Sequence, residues 1–232
     1  MPTPVLPTPR PVRLFLDSAD PAAWARLLPL GFLHGVTTNP LLLERAGQPC
    51  TLANLEQLAR TAARLGAREI HLQTWGEDAA QLTERGRRLA ALDCGPAVAV
   101  KVPATAAGFV CARRLIDAGA TVTMTAVYAE GQVLAAAALG AAYAAPYLGR
   151  LDDAGRDGRA SLVRMQALAA ATPLRLLAAS LRAADRVVDL AAAGLDTFTF
   201  GPDVADALIA EPLTTAAAAD FLRAALTMEG DR

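Results

Sequence analysis

Lysine is nearly missing from this chain. Of 22 basic residues one is a lysine, Lys101, and the other 21 are arginine. Cysteine (3) and histidine (2) are scarce as well, and each scarcity excludes something. Cys50, Cys94 and Cys111 are odd in number and far apart, so there is no disulfide framework and no metal-ligand spacing, and a reducing cytoplasm is the expected compartment. His34 and His71 are too few and too separated for a histidine metal site and read as packing or polar-contact residues. No metal and no cofactor is expected. Net charge is −1 and the arginines are dispersed, which excludes a nucleic-acid surface. No long strongly apolar run is present. Residues 131–149 lack charge, but they are mostly alanine and are broken by Gly140 and Pro146, whereas a membrane span needs about 20 strongly apolar residues. Residues 1–12 carry five prolines and no apolar segment of the signal-peptide kind, so they read as a loose tail.

What is present starts at Ala97-Val-Ala-Val-Lys101-Val-Pro103, an apolar run of strand character around the lone lysine. A bias toward arginine codons would account for the arginines but not for the one lysine kept here. Arginine replaces lysine as a surface charge and cannot replace it as a primary amine, because the guanidinium stays protonated. Apolar surroundings disfavour an ammonium, so neutral amine becomes available. That is the chemistry of a Schiff-base lysine acting on a ketone. The competing reading is one half of a buried ion pair.

Hydrophobic residues make up 53% of the 232, enough for a sizeable core. Short apolar runs alternate with amphipathic stretches. Strands are expected at 13–17, at the start of 35–40 (a short strand and loop), and at 69–73, 97–102, 121–127, 143–147, 174–180 and 196–200. Helices follow most of them, with Ser18 or Asp20, Thr51, Asp78 and Thr105 as caps and Gly119 and Gly194 as stops. Residues 37–40 and 149–158 read as loops. Regular βα alternation implies a parallel sheet, and eight units imply a single (β/α)8 TIM barrel over 13–210 with an additional C-terminal helix in 211–232. An open doubly wound sheet is the alternative, but it would want a glycine-rich phosphate loop, and Asp17-Ser-Ala-Asp20 is not one. Thr214 is the expected cap of the last helix. Its residues Ala218, Phe221, Leu222, Ala225 and Leu226 form an apolar face that the barrel does not need.

Barrels collect their sites at the C-terminal strand ends. Those ends carry Asp17; Thr37, Thr38 and Asn39; Gln73; Lys101, with Thr105 beyond it; Thr123 and Thr125; Tyr147 and Arg150; and Ser180 and Arg182. One amine, one carboxylate, one phenol and several neutral hydrogen-bonding groups would meet at one mouth.

The motifs Leu16-Asp-Ser-Ala-Asp20, Gly35-Val-Thr-Thr-Asn-Pro40, Val100-Lys-Val-Pro-Ala-Thr105, Ala145-Pro-Tyr-Leu-Gly-Arg-Leu-Asp152 and Ala178-Ala-Ser-Leu-Arg182 resemble, in order, those of the transaldolase family. Transaldolases have glutamate where Gln73 stands, phenylalanine where Tyr147 stands and asparagine where Thr123 stands. Gln73 and Tyr147 are similar to the fructose-6-phosphate aldolase branch. The resemblance implies a class I lyase of carbohydrate metabolism that cleaves fructose 6-phosphate or a similar ketose. The alternative it leaves is a transaldolase of the pentose phosphate type, and a non-catalytic phosphosugar-binding barrel is the alternative of another class. It implies Lys101 as the Schiff-base residue and Asp17 in proton transfer. Gln73, Thr125 and Tyr147 would hold a catalytic water. Asn39 and Thr38 would bind the donor, and Arg150, Ser180 and Arg182 an acceptor phosphate. The aldolase branch commonly has lysine where Arg182 stands. The resemblance also implies sugar phosphates as partners, with neither nucleic acid nor membrane, and a homo-oligomer, pentamer or decamer.

Overall fold

The structure, a computed structural model, describes residues 10–230. Eight parallel strands close in sequence order into a barrel: β1 (Arg13–Asp17), β2 (Gly35–Thr37), β3 (Glu69–Gln73), β4 (Ala97–Pro103), β5 (Thr121–Val127), β6 (Tyr143–Pro146), β7 (Arg175–Leu181) and β8 (Thr197–Phe200), with β8 pairing back to β1. Around it run α1 (Pro21–Leu27), α2 (Pro40–Arg45), α3 (Leu52–Arg64), α4 (Ala79–Ala90), α5 (Ala106–Asp117), α6 (Glu130–Leu139), α7 (Leu148–Asp153), α8 (Gly158–Ala170), α9 (Ala184–Ala192) and α10 (Pro202–Ile209), and α11 (Pro212–Gly230) follows. The expected (β/α)8 barrel with a further C-terminal helix is the fold.

Strand alternation sorts the side chains into two populations. Outward-facing Leu16, Val36, Ile70, Leu72, Val100, Val122, Met124 and Phe198 are buried among the helices in the main core. Inward-facing Phe15, Tyr143, Ala145 and Leu177 form a small separate cluster. The rest of the interior is polar: Thr37, His71, Lys101, Thr123, Thr125, Thr197 and Thr199 are all buried. Among the described residues no buried side-chain nitrogen or oxygen lacks a hydrogen-bond partner. A network satisfied at every member holds its geometry, because breaking one bond strands another group away from water. At Gly35 a β-carbon would stand 1.9 Å from the Glu69 carbonyl oxygen, so only glycine lets β2 close onto β3 at this level.

The caps follow local chemistry. Asp20, Thr51, Asp78 and Thr105 accept backbone N–H groups of the first turns of α1, α3, α4 and α5. Gly119 takes the left-handed conformation after α5, with φ 83°. Three expectations need correction. Residues 37–40 are not a strand and loop only, because Asn39 caps α2 and Pro40 opens it. Residues 149–158 are not one loop, because α7 occupies Leu148–Asp153. Thr214 does not cap the last helix. α11 begins two residues earlier, at Pro212, and its Leu213 N–H donates to the Glu211 carboxylate at 2.9 Å. Most of the proposed tail lies outside the described residues, but Arg10 is anchored, donating to the carbonyls of Leu174 (2.9 Å) and Thr172 (2.5 Å).

α11 does not bury against its own barrel. Leu213, Phe221, Leu222, Leu226 and Met228 are exposed by 57–78%. Among the described residues no helix is long and apolar enough to cross a membrane.

Candidate active site

A cavity of about 320 Å³ opens at the C-terminal end of the barrel. Asp17 of β1, Asn39 at the start of α2, Lys101 of β4, Tyr147 after β6, Arg150 of α7, and Ser180 and Arg182 at the end of β7 all line it. Seven of the ten residues singled out from the sequence therefore share one space.

Lys101 sits at the bottom of it, 4% exposed, and its Nζ donates to the Thr38 carbonyl oxygen at 2.7 Å. That bond fixes the end of a flexible side chain. Asp17 Oδ1 accepts from Thr37 Oγ1 at 2.6 Å, and Thr37 in turn lies 2.6 Å from Thr199 Oγ1. With the Thr37 hydrogen given to Asp17, Thr199 donates to Thr37. Asn39 spends its Oδ1 on the Leu42 N–H at 3.0 Å, which leaves its amide nitrogen to the cavity.

The wall opposite is shaped by two irregularities. Pairing shifts between Met124 and Val127 on β5 and between Ala178 and Leu181 on β7. Ala126 and Ser180 take positive φ, 55° and 57°. Such bulges re-aim side chains, and left-handed backbone outside glycine is costly enough to be kept where the surroundings enforce it. On β7 the consequence is direct: Ala179, Ser180, Leu181 and Arg182, four consecutive residues, all reach the cavity. Regular alternation would have shown every second one. The Tyr147 hydroxyl lies 2.8 Å from Thr125 Oγ1, and the Arg150 guanidinium stands 5.6 Å over the Tyr147 ring.

Three expected residues stand differently. Thr125 does not line the cavity and reaches it through Tyr147. Gln73 does not line it either, although it is the register partner of Lys101 on the neighbouring strand. Thr38 turns its side chain to the His71 carbonyl oxygen (3.4 Å), and its own carbonyl serves the site. Arg182 is already occupied, bonded by both terminal nitrogens to Asp153 at 2.8 and 2.6 Å.

Arg45 lines the cavity and did not stand out from the sequence, because α2 was not expected there. The cluster at the opposite end of the barrel interior was missed too. Glu69 there receives His71 Nε2 at 2.7 Å, the Tyr143 hydroxyl at 3.2 Å, Arg13 at 3.3 Å and His34 Nε2 at 3.5 Å. Arg13 also donates to the Tyr143 hydroxyl. Both histidines are thus polar-contact residues. Among the described residues no group of three or more His, Cys, Asp and Glu is placed to hold a metal ion. Burial alone would push the Glu69 carboxyl up, but His71, Tyr143 and Arg13 outweigh it and hold it at about 2. Burial pushes the His71 imidazole down, against the pull of Glu69, and pushes the Tyr143 phenol well up. A carboxyl depressed from an ordinary 4.5 stabilises the fold fully above pH 4.5 and loses that contribution as pH falls toward 2. The loss should come to about 3 kcal/mol at 1.36 kcal/mol per pKa unit. Urea unfolding across pH 5 to about 2 should show it, and Glu69→Gln should flatten the dependence. An equally steep dependence in that variant would place the acid lability elsewhere.

A family model described as transaldolase/fructose-6-phosphate aldolase matches residues 14–230. A "Probable transaldolase" of Phenylobacterium zucineum (strain HLK1) is 33% identical over 213 residues, covering 91% of this chain and 95% of that protein. One from Cereibacter sphaeroides (strain ATCC 17029 / ATH 2.4.9) is 35% identical over 205 residues, 88% of this chain and 90% of its own. One from Nitrosopumilus maritimus (strain SCM1) is 31% identical over 215 residues, 91% and 94%.

Proposed function

Because the chain belongs to the transaldolase/fructose-6-phosphate aldolase family, we propose that it is a Schiff-base enzyme that passes a dihydroxyacetone unit between sugar phosphates. The observation that carries the chemistry is Lys101, a buried primary amine fixed at 2.7 Å from a carbonyl at the bottom of a cavity lined by Asp17. The names of the relatives weigh for transfer over simple cleavage.

The Lys101 amine adds to the donor ketone and water leaves, giving an iminium. The iminium draws electrons from the carbon–carbon bond beyond the adjacent carbon. Asp17 takes the proton of the hydroxyl that becomes the departing aldehyde. The enamine left on Lys101 attacks the aldehyde of the acceptor, and water then frees the product ketose and the amine. Asn39 orients the donor's hydroxyls. Arg150 and Arg182 attract the acceptor phosphate, and Arg182 must first exchange its bidentate partner Asp153 for it.

A second reading, cleavage with release of the ketone, is favoured by one feature. The Tyr147 hydroxyl, bonded to Thr125, can relay a proton to the enamine where a phenylalanine could not. Fructose 6-phosphate with and without erythrose 4-phosphate separates the two. Transfer predicts glyceraldehyde 3-phosphate only when the acceptor is present, and appreciable acceptor-independent release of dihydroxyacetone would establish cleavage. Tyr147→Phe combined with Gln73→Glu should raise the ratio of transfer to cleavage by about tenfold, a change of 1.4 kcal/mol in relative barriers. An unchanged ratio would remove Tyr147 from the proton relay.

We propose further that copies of the chain associate through α11, whose apolar residues its own barrel leaves uncovered, and that the enzyme works in the cytoplasm.

A further inference from the structure

Asp17 does not stand alone at the mouth. Its Oδ1 accepts from Thr37 Oγ1 at 2.6 Å, and Thr37 Oγ1 lies 2.6 Å from Thr199 Oγ1. The three residues belong to three adjacent strands. Asp17 ends β1, its register partner Thr37 ends β2, and Thr199 comes from β8, which closes the barrel on the other side of β1. Thr37 is wholly buried and Thr199 is 2% exposed, so little water competes for these bonds. Thr199 borders the cavity and Thr37 does not. Among the described residues no group donates to Oδ2 of Asp17. No buried side-chain oxygen among them lacks a partner, so Oδ2 is open to the cavity that Asp17 lines.

The hydrogens along this chain of groups run one way. A carboxylate only accepts, so Thr37 spends its single hydrogen on Oδ1, and the bond between the two threonines must use the hydrogen of Thr199. The reaction does not reverse this order. As the carbon–carbon bond breaks, its electrons pass to the iminium. The substrate hydroxyl oxygen becomes the carbonyl oxygen of the departing aldehyde, and its proton bonds to Oδ2. The neutral acid then carries its hydrogen on Oδ2 and still accepts at Oδ1. A hydroxyl that is itself accepting a hydrogen bond donates more strongly, so Thr199 tightens the hold of Thr37. A carboxyl pinned at one oxygen does not turn about its terminal bond, which decides the oxygen that meets the substrate.

We infer that Thr199 is a positioning residue for Asp17 and acts through Thr37: together they hold Oδ1 and so present Oδ2 to the hydroxyl whose proton the reaction removes. This rests on the Schiff-base reading and deepens it.

The test is turnover of fructose 6-phosphate with erythrose 4-phosphate by the full-length protein, set beside borohydride trapping of its dihydroxyacetone adduct. Thr37→Val should lower kcat about thirtyfold and Thr199→Val about fivefold, with KM changed by no more than about twofold. Thr199→Ser keeps the hydroxyl and should keep kcat within about twofold. The adduct forms without breaking a carbon–carbon bond, the step that Asp17 serves. Trapping should therefore keep its rate in all three variants, whereas damage to the barrel would slow both. Because Thr199 acts through Thr37, the double variant Thr37→Val with Thr199→Val should be no slower than Thr37→Val alone, while independent effects would multiply to about 150-fold. Multiplied losses, a Thr199→Val variant of unaltered kcat, a Thr199→Ser variant as slow as Thr199→Val, or trapping slowed in step with kcat would each overturn the inference. If Thr37→Val or Thr199→Val does not fold, Thr37→Ala or Thr199→Ala removes the same hydroxyl and is held to the same outcomes. No adduct in the unaltered protein would overturn the Schiff-base reading itself, a failure distinct from any pattern of kcat among the variants.

Discussion

Lys101→Arg should leave a folded barrel with no turnover. Arginine keeps the positive charge and most of the length, so the bond to the Thr38 carbonyl can persist in some form. What disappears is the primary amine. A guanidinium stays protonated and delocalised, and it forms no iminium with a ketone under these conditions. Without the iminium there is no electron sink for carbon–carbon cleavage, so the loss is of the whole covalent route. The expected fall in kcat is roughly four orders of magnitude or more, to background, with the thermal unfolding midpoint little changed. Turnover within about a hundredfold of the unaltered enzyme would mean that Lys101 does not form the intermediate.

Removal of α11 should dissociate the oligomer proposed above. Phe221, Leu222 and Leu226 are 73%, 60% and 57% exposed on one chain. Each would contribute about 1.5–3 kcal/mol if fully buried, and a closed oligomer repeats that gain at every interface. Folding back over its own barrel is not what the helix does, since every described side chain from Pro212 to Glu229 except Ala217 is exposed. A second copy of the chain is the partner proposed for it. Truncation after Pro212 should lower the mass measured by light scattering to that of a smaller assembly or a single chain, with barrel helicity kept. A truncated protein of unchanged oligomer mass would assign the contact to another surface.

The sequence carried the barrel because each of the first seven strands announces itself twice, by an apolar run and by a polar residue at or near its end. Asp17, Asn39, Lys101, Tyr147, Arg150, Ser180 and Arg182 could be picked out on that ground, and they share the cavity. Short elements were less legible. α2 is six residues long and begins Pro-Leu-Leu-Leu, too short to display a helical period, although the capping Asn39 and Pro40 at its start were a usable sign. α7 follows Tyr147 at once, and Gly149, Asp152 and Asp153 gave it the composition of a turn. The left-handed backbone at Ser180 had no signature, since it is imposed by the bulge on β7 and not by residue type. The interior network was hidden for a different reason. Arg13, His34, Glu69, His71, Thr123 and Tyr143 come from β1, the β2 approach, β3, β5 and β6, and only closure of the barrel brings them to one carboxylate and one imidazole. Alternation along β3 does place Glu69, His71 and Gln73 on one face, which was the available hint.

The ion pairs at the surface have a different weight. Arg26–Asp206 and Arg159–Asp189 join separate helices but lie in solvent, where such pairs add little to stability. Arg182–Asp153 is equally exposed, so the phosphate contact proposed for Arg182 would have only a solvent-screened partner to displace.

The proposed reaction turns on a covalent bond between Lys101 and a ketone. Incubation with dihydroxyacetone and borohydride, followed by intact mass and peptide mapping, tests it most directly. A gain of one reduced dihydroxyacetone unit per chain is expected, located on the peptide containing Lys101 and absent from Lys101→Arg. No gain in mass, or a gain on any other residue, would contradict it.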